Sequence, residues 1–485
     1  MIFKNSMRKI WDSPTFTTWA SFLSRPLNLI LLTPLILTHL SEAETAVWFL
    51  FATFMSFQSL ADFGFNSSLI RAYAHASGGA KAIKNYKDED IEKHDNTIKE
   101  INWNLIEQIY STVKYICIGL SILFVLLLSI FGTLFVDRLI NLVSNPSEAW
   151  IAWVIIIIAT GINVYGSRYS IFIKGMNEIP LFMRWQTLFS VLSIITSSIA
   201  LYLSSNLLIV IIVYQFWIII GVLRNYIIAH KICNNKLKTF NNVGFVSSVF
   251  NGIFPAAWRT WVAQSMSFGL IQLSGIFYSQ IGDVSSVSSY LFSLKIINLI
   301  KQFSNAPLYS KLPWFGKLFL SKKIKELKIE IQRSMFFSHL TFVIFFILAG
   351  FISQPILDMI GSNTKFADHS LWFLLGLSFW IERYGAMHFQ FYSLTNHVVA
   401  HIGNGISGML YILLVILFFD KFQIYSFPLA YGIAYLSFYS WLGPYYSLSR
   451  FKINFFEFEF KSSLLPILFI IIYYYYILNN YQFAI

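Results

Sequence analysis

Residues 206–229 read NLLIVIIVYQFWIIIGVLRNYIIA, and this stretch decides the fold of the chain. Arg224 is its one charged residue. A helix of about 20 mostly apolar residues is long enough to cross the hydrocarbon core of a bilayer. Inside lipid every backbone polar group needs a partner from the protein, and a helix provides all of them. The stretch therefore predicts a membrane-spanning helix.

The same pattern recurs along the whole chain. Of its 485 residues, 56% are hydrophobic and only 12% are charged, whereas soluble domains carry about 25% charged residues. We therefore predict an all-α, polytopic transmembrane helix bundle. Its twelve spans are expected near 14–38, 45–74, 109–136, 149–173, 181–203, 206–229, 254–281, 285–312, 335–360, 369–393, 397–420 and 427–449. The apolar stretch 463–479 is a candidate thirteenth span, and the first run lacks a cleavage signal, so we expect it to be retained.

Positive charge separates the loops into two sets. One set, which includes 75–108 and 313–334, carries most of the lysines and arginines, while the other carries Arg138, Lys365 and Lys421. Cytoplasmic loops hold the Lys/Arg excess. We therefore predict a protein of the bacterial cytoplasmic (inner) membrane with a cytoplasmic N-terminus. The net charge of +12 then reflects topology and anionic lipid headgroups rather than nucleic-acid binding.

The two longest basic insertions, 75–108 and 313–334, occupy equivalent places after spans 2 and 8. The helical pairs that precede them overlay at an offset of 242 residues. We therefore predict two pseudo-symmetric six-helix lobes, at 1–240 and 241–450, followed by a tail at 451–485. Transporters built from such parallel repeats hold their substrate between the halves.

Several cations fall inside the predicted spans, where a charge costs about 2.5–3.5 kcal/mol. Spans 1 and 8 carry polar residues on one face at helical spacing, and Pro26 and Pro307 predict breaks in the same two helices. The candidate substrate-binding residues are Arg25, Arg259, Lys295, Lys301 and Arg383. Polar stripes on apolar helices predict a hydrated, cation-rich cleft lined by spans 1, 2, 7 and 8. Such a cleft suits an anionic cargo.

Two acids also lie within spans. Asp62 could be the partner of a cation, a coupling-ion ligand or an acceptor at a helix bend, and the sequence leaves these roles open. Glu382 and Arg383 are adjacent and so point about 100° apart on a helix. We expect one of them to face the cleft and the other to contact a neighbouring helix. Lys114 and Arg168 lie near predicted span ends, which favours snorkelling to the membrane interface.

Sequence motifs for chemistry are missing. The chain contains no P-loop, no HExxH and no CxxC, and its two cysteines, Cys117 and Cys233, are expected to be free thiols. We therefore predict no catalytic residue, no metal site, no cofactor and no enzymatic activity. Transport would then draw on an ion gradient, the substrate gradient or a later consuming step.

A short stretch in span 2, Leu60-Ala61-Asp62-Phe63-Gly64-Phe65 followed by Arg71, resembles a segment of a known family. A similar Asp-x-Gly segment followed by an arginine recurs in the Wzx-like O-antigen and polysaccharide-unit flippases. These form a branch of the multidrug/oligosaccharidyl-lipid/polysaccharide (MOP) exporter superfamily. The resemblance covers roughly residues 10–450 and implies a MATE-like fold.

The resemblance implies a flippase that moves undecaprenyl-diphosphate-linked oligosaccharide units to the periplasmic leaflet by alternating access. The units would serve O-antigen, lipopolysaccharide or capsule assembly, with membrane lipids, a coupling ion and a polysaccharide polymerase or assembly complex as partners. The residues that would line its cationic cavity are Arg25, Arg259, Lys295 and Lys301. Asp62 and Arg71 would belong to the motif region, and we group Glu382 with them as a candidate coupling residue.

Two alternatives remain. A cation-coupled multidrug exporter of the same superfamily would need an apolar and acidic cavity. A membrane polysaccharide polymerase or glycosyltransferase would typically display a large periplasmic loop with catalytic residues, whereas the outer loops here are short, the longest being near 137–148.

Overall fold

The computed structural model describes residues 27–60, 64–79, 100–238, 240, 243–311, 314–315, 318–319, 323–395 and 399–480. This part of the chain is built from helices and contains no strand, which confirms the all-α prediction. Two compact units divide the chain, Met1–Trp261 and Val262–Ile485. We call them the N-terminal and the C-terminal unit. The lobe boundaries predicted from the sequence stay a prediction.

We number the helices in chain order. The N-terminal unit contains α1 (Asn28–His39), α2 (Glu42–Ser56), α3 (Phe65–Ser77), α4 (Trp103–Ile140), α5 (Pro146–Gly175), α6 (Ile179–Ser204), α7 (Leu207–Ile232) and most of the first part of α8 (Ser247–Gln264). Helix α8 continues through Ser265–Gly269 and Leu270–Ile281. The C-terminal unit adds α9 (Val284–Ser304), α10 (Ala306–Tyr309), α11 (Ile324–Met359), α12 (His369–Tyr392), α13 (Ala400–Phe422), α14 (426–451), α15 (Phe455–Ser462) and α16 (Leu464–Asn480).

Six helical segments of the described chain are long and apolar enough to cross a membrane. They are Trp103–Ile140, Pro146–Gly175, Ile179–Ser204, Leu207–Ile232, Ile324–Met359 and Ala400–Phe451. The last segment joins α13 and α14 and so contains two of the predicted spans. The chain is therefore a multi-pass membrane protein. Helix α16 coincides with the candidate thirteenth span, and its crossing of the membrane stays a prediction.

Side-chain caps fix where several helices begin. Ser41 and Glu44 form a reciprocal capping box at the start of α2, with Glu44 N–H donating to Ser41 Oγ and Ser41 N–H to Glu44 Oε2. Asn206 caps α7 with a single hydrogen bond, which its side chain accepts from Ile209 N–H. Asp283 caps α9 by accepting from Ser286 N–H at 2.9 Å. This hydrogen bond favours the carboxylate and holds the pKa of Asp283 below its usual range.

Prolines accompany changes in helix geometry. Helix α1 opens with a π-helical turn, Asn28–Leu32, directly before Pro34, which has no N–H to donate. The break that Pro307 predicts in span 8 is present, because α9 ends at Ser304 and α10 begins two residues later. Pro26 lies outside the described residues.

Each unit has its own aromatic core. In the N-terminal unit, Tyr73 of α3 meets Phe172 of α5 edge to face, with ring centroids 5.4 Å apart. A Cβ on Gly175 would lie 2.3 Å from Tyr73 Cβ, so α3 and α5 pack closely. In the C-terminal unit, Phe391 stacks on Phe451 with centroids 4.3 Å apart. These contacts pack α3 against α5 and α12 against α14.

Candidate functional site

An ion pair in the C-terminal unit joins two of the predicted site residues. Lys301 Nζ of α9 lies 2.6 Å from Glu382 Oε2 of α12. The Glu382 side chain is 4% exposed and that of Lys301 is 21% exposed. A buried carboxylate is stable as an anion only when it is paired. Lys301 supplies that charge while the lysine itself keeps some exposure.

Arg383 binds the broken end of α9. Its Nη1 donates to Lys301 O at 3.0 Å and to Asn305 Oδ1 at 2.8 Å, and its Nη2 donates to Ser304 O. The last carbonyls of a helix have no partner within that helix, and the break before Pro307 creates such an end inside the unit. Arg383 therefore caps α9. Glu382 and Arg383 thus both contact α9, although the sequence predicted different surroundings for the two.

Lys295 lies on the same helix as Lys301 and is half-buried. Asn298 lies between the two lysines and donates to Leu294 O at 2.8 Å, so its own helix occupies its amide. The polar stripe predicted for span 8 therefore contains one side chain held by its own helix and one lysine held in an ion pair. That Lys295, Lys301 and Arg383 bind substrate stays a prediction.

The N-terminal unit holds two further candidates. Arg259 of α8 and Arg71 of α3 are both exposed, and Arg71 Nη2 donates to Ser68 Oγ at 3.3 Å. Arg25 and Asp62 lie outside the described residues. The predicted cleft lined by spans 1, 2, 7 and 8 also stays a prediction.

Gly64, from the motif in span 2, shows why a glycine is needed there. It begins α3 with φ of +73°, in the left-handed region that only glycine adopts freely. A Cβ at this position would lie 2.2 Å from Ala257 O and 2.8 Å from Trp261 N. The motif therefore permits the start of α3 to touch the backbone of α8.

Two arginines that were not among the candidate site residues are buried in the N-terminal unit. Arg168 was expected to snorkel but is 7% exposed, with its guanidinium carbon 3.9 Å from the centroid of the Tyr165 ring. That expectation was wrong because aromatic side chains in the unit supply a partner for the cation. Arg224, which lies within the predicted span 206–229, is also 7% exposed inside α7.

Arg224 organises two neighbouring amides. Its Nη2 donates to Asn225 Oδ1 at 2.8 Å and to Gln186 Oε1 at 3.1 Å. Both amides line a cavity of about 200 Å³ within the N-terminal unit. Among the described residues, no three His, Cys, Asp or Glu side chains come together as metal ligands would.

Comparison with family models and with curated proteins finds no match for this sequence. Comparison with solved structures does. An inward-facing multidrug resistance MATE family transporter of the MOP superfamily matches with a TM-score of 0.61 at 12% identity, over 91% of this chain and 95% of that chain. The lipid II flippase MurJ in an inward closed conformation matches with a TM-score of 0.56 at 16% identity, over 96% and 93%. A MATE in complex with MaD3S matches with a TM-score of 0.58 at 11% identity, over 92% of this chain and 98% of that chain. The chain therefore has a MATE-like fold, as the sequence predicted.

Proposed function

We propose that this chain is a flippase that translocates undecaprenyl-diphosphate-linked oligosaccharide units across the bacterial cytoplasmic membrane for O-antigen or capsule assembly. The observation that carries the proposal is the pair of partly buried lysines on α9, Lys295 and Lys301, in the helix that corresponds to the predicted span 285–312. Charges at membrane depth usually mark a substrate or ion pathway. A fold shared with a lipid flippase and with multidrug transporters is consistent with this role.

The Lys301–Glu382 pair suggests how cargo could be held and released. A diphosphate offers several oxygens to a lysine, and Lys301 is exposed enough to exchange Glu382 for such a partner. In the empty transporter, Glu382 would neutralise Lys301 and so limit the cost of a buried charge. Arg25, Arg259 and Lys295 would add positive charge for the diphosphate, and Arg383 would keep α9 in place. Asp62, Arg71 and Glu382 would couple cargo to the change of access.

A cation-coupled multidrug exporter is a second candidate. The observation that favours it is Glu382, an acid with a side chain only 4% exposed, in the helix α12 that corresponds to the predicted span 369–393. In that case the chain should protect cells against cationic drugs, and Glu382→Gln should remove the protection. Growth assays in a strain that lacks its own exporters measure this directly. Under the flippase proposal, resistance stays unchanged.

We predict that polysaccharide export depends on the charge of residue 301. Lys301→Arg should keep most activity, Lys301→Gln should lose about 10–100-fold, since a hydrogen bond to a charged group contributes about 1.5–3 kcal/mol, and Lys301→Glu should be inactive. Surface polysaccharide, measured by complementation of a flippase-deficient strain at matched protein level, gives the readout. Lys365→Gln, an exposed residue in a predicted outer loop, is the matched control and should export normally.

A double variant separates a cargo-binding role of Lys301 from a purely structural role of the ion pair. In the double variant Lys301→Gln with Glu382→Gln, the two amides can hydrogen-bond and no buried charge is left unpaired. We expect this variant to fold but not to export. Export at the wild-type level would show that Lys301 serves only to neutralise Glu382, and would remove the main support for an anionic cargo site on α9.

A further inference from the structure

A cavity of about 200 Å³ lies within the N-terminal unit. Helices α3 to α7 and Gln58 line it, and four of its lining side chains are the carboxamides of Gln58, Asn163, Gln186 and Asn225. An engineered apolar cavity of about 150 Å³ holds benzene, whereas drug-sized ligands occupy clefts of about 300 Å³ or more. The cavity therefore has room for a single substituted ring.

Arg224 fixes the orientation of two of these amides. Its Nε and Nη2 donate to Asn225 Oδ1 at 3.1 and 2.8 Å, and Nη2 also donates to Gln186 Oε1. A guanidinium has no acceptor, so both amides must turn their oxygen toward Arg224 and their NH2 group away from it. Among the described residues, neither NH2 group has a partner. Two hydrogen-bond donors are thus available to the cavity.

The cation that holds these two amides is itself buried. Arg224 is 7% exposed, and its Nη1 has no hydrogen-bond partner in the described part of the chain. The groups that it contacts are neutral amides and aromatic rings. Its guanidinium carbon lies 4.7 Å from the centroid of the Phe189 ring. A buried cation that is paired only with neutral groups favours an anion nearby.

Two other residues that line the cavity, Asn163 and Gln58, offer neutral polar groups. Asn163 Nδ2 donates to Gln58 Oε1 at 2.8 Å, and Gln58 Nε2 donates to Thr160 Oγ1 at 2.7 Å. These two hydrogen bonds use the amide NH2 groups of Asn163 and Gln58, so Asn163 Oδ1 is left as an acceptor for a ligand in the cavity. Phe65 and Phe182 add apolar surface. A ligand that fits these residues would be a ring with hydroxyl groups at its edge and an apolar face.

We propose that this cavity binds a hexuronic acid, a six-carbon sugar ring that bears a carboxylate. The carboxylate would accept from Asn225 Nδ2 and Gln186 Nε2 beside Arg224, and a ring hydroxyl would donate to Asn163 Oδ1. The inference rests on the proposed function, because it assigns an acidic sugar to the lipid-linked cargo. It adds a binding site for the sugar, within the N-terminal unit, to the proposed diphosphate site on α9.

Ligand-observed NMR titration of the purified full-length protein in nanodiscs tests the proposal. D-glucuronate should bind in the millimolar range, D-glucose should bind at least about tenfold more weakly, equivalent to about 1.4 kcal/mol, and inorganic phosphate at the same concentration should not displace glucuronate. Asn225→Asp keeps the acceptor for Arg224 but replaces the donor with a negative charge. It should weaken glucuronate binding at least tenfold, and Gln186→Glu should act in the same direction.

Asn102→Asp is the matched control. Asn102 caps α4 by accepting from Leu105 N–H, a contact that aspartate preserves, and it does not line the cavity. Its glucuronate affinity should equal that of the wild type. Equal affinity for glucose and glucuronate, displacement by phosphate, or full binding by both Asn225→Asp and Gln186→Glu in protein with a normal melting temperature would each overturn the proposal.

Failure of the proposal and failure of the flippase function give different results. A chain that complements the flippase-deficient strain but does not bind glucuronate overturns the sugar site alone. A chain that binds glucuronate with the expected variant pattern, yet exports nothing, supports the site and contradicts the proposed function.

Discussion

Replacing Gly64 with alanine should strongly lower the thermal stability of the folded protein. A non-glycine residue in the left-handed region costs roughly 1–2 kcal/mol, and Gly64 has φ of +73°. The new Cβ would also lie 2.2 Å from Ala257 O, and overpacking of this kind adds about 1–3 kcal/mol or more. At roughly 2–4 °C per kcal/mol, the melting temperature in detergent should fall by about 10 °C. Fluorescence-detected size exclusion after heating measures this shift.

Two other glycines provide the control for this variant. Gly119 in α4 and Gly221 in α7 have no neighbouring atom within 4 Å of an added Cβ. Alanine is the better helix former by up to about 1 kcal/mol, so Gly119→Ala and Gly221→Ala should melt at or slightly above the wild-type temperature. If Gly64→Ala melted with them, the close approach of α3 to α8 would not exist.

Replacing Arg383 with methionine should lower the thermal stability about as much as Gly64→Ala does. The change keeps a long apolar stem but leaves Ser304 O and Asn305 Oδ1 without their donor at the end of α9. Lys301 O keeps only the hydrogen bond from Ser304 Oγ. It also removes a buried cation next to Glu382. Breaking a buried charged network by removing one partner costs about 3–5 kcal/mol. We expect little folded protein and a melting temperature lowered by about 10 °C or more.

The conservative variant sharpens this prediction. Arg383→Lys keeps the charge, but a single ammonium group lacks the planar fork of guanidinium, so it should restore only part of the stability. The control is Lys323→Met, since Lys323 and Glu326 form an ion pair in which both side chains are 57% exposed. Such a pair contributes about 0–1 kcal/mol. A normal melting temperature for Arg383→Met would contradict its role as the cap of α9.

Local patterns determined most of the fold. The predicted spans 181–203 and 206–229 correspond to α6 at Ile179–Ser204 and α7 at Leu207–Ile232. Their ends could be predicted because a span is a local property, set by apolar length and by the residues that flank it. Helix α4 extends beyond its predicted span, 109–136, because the helix continues through polar turns that the hydropathy signal excludes.

The candidate site was only partly accessible from the sequence. A charged residue inside a long apolar stretch is recognisable from the sequence, so Lys301, Glu382 and Arg383 could be identified as residues that need partners. Their partners could not, because those lie on other helices.

The sequence by itself determined that this is an all-helical membrane protein and which of its charges are costly. Only the tertiary structure decided which groups meet those charges. It paired Lys301 with Glu382, turned Arg383 onto the end of α9, and placed Gln186 against Arg224, two residues that are 38 positions apart. The physical reason is that hydropathy and helical period act within one helix, whereas a hydrogen-bond partner is selected by how different helices pack.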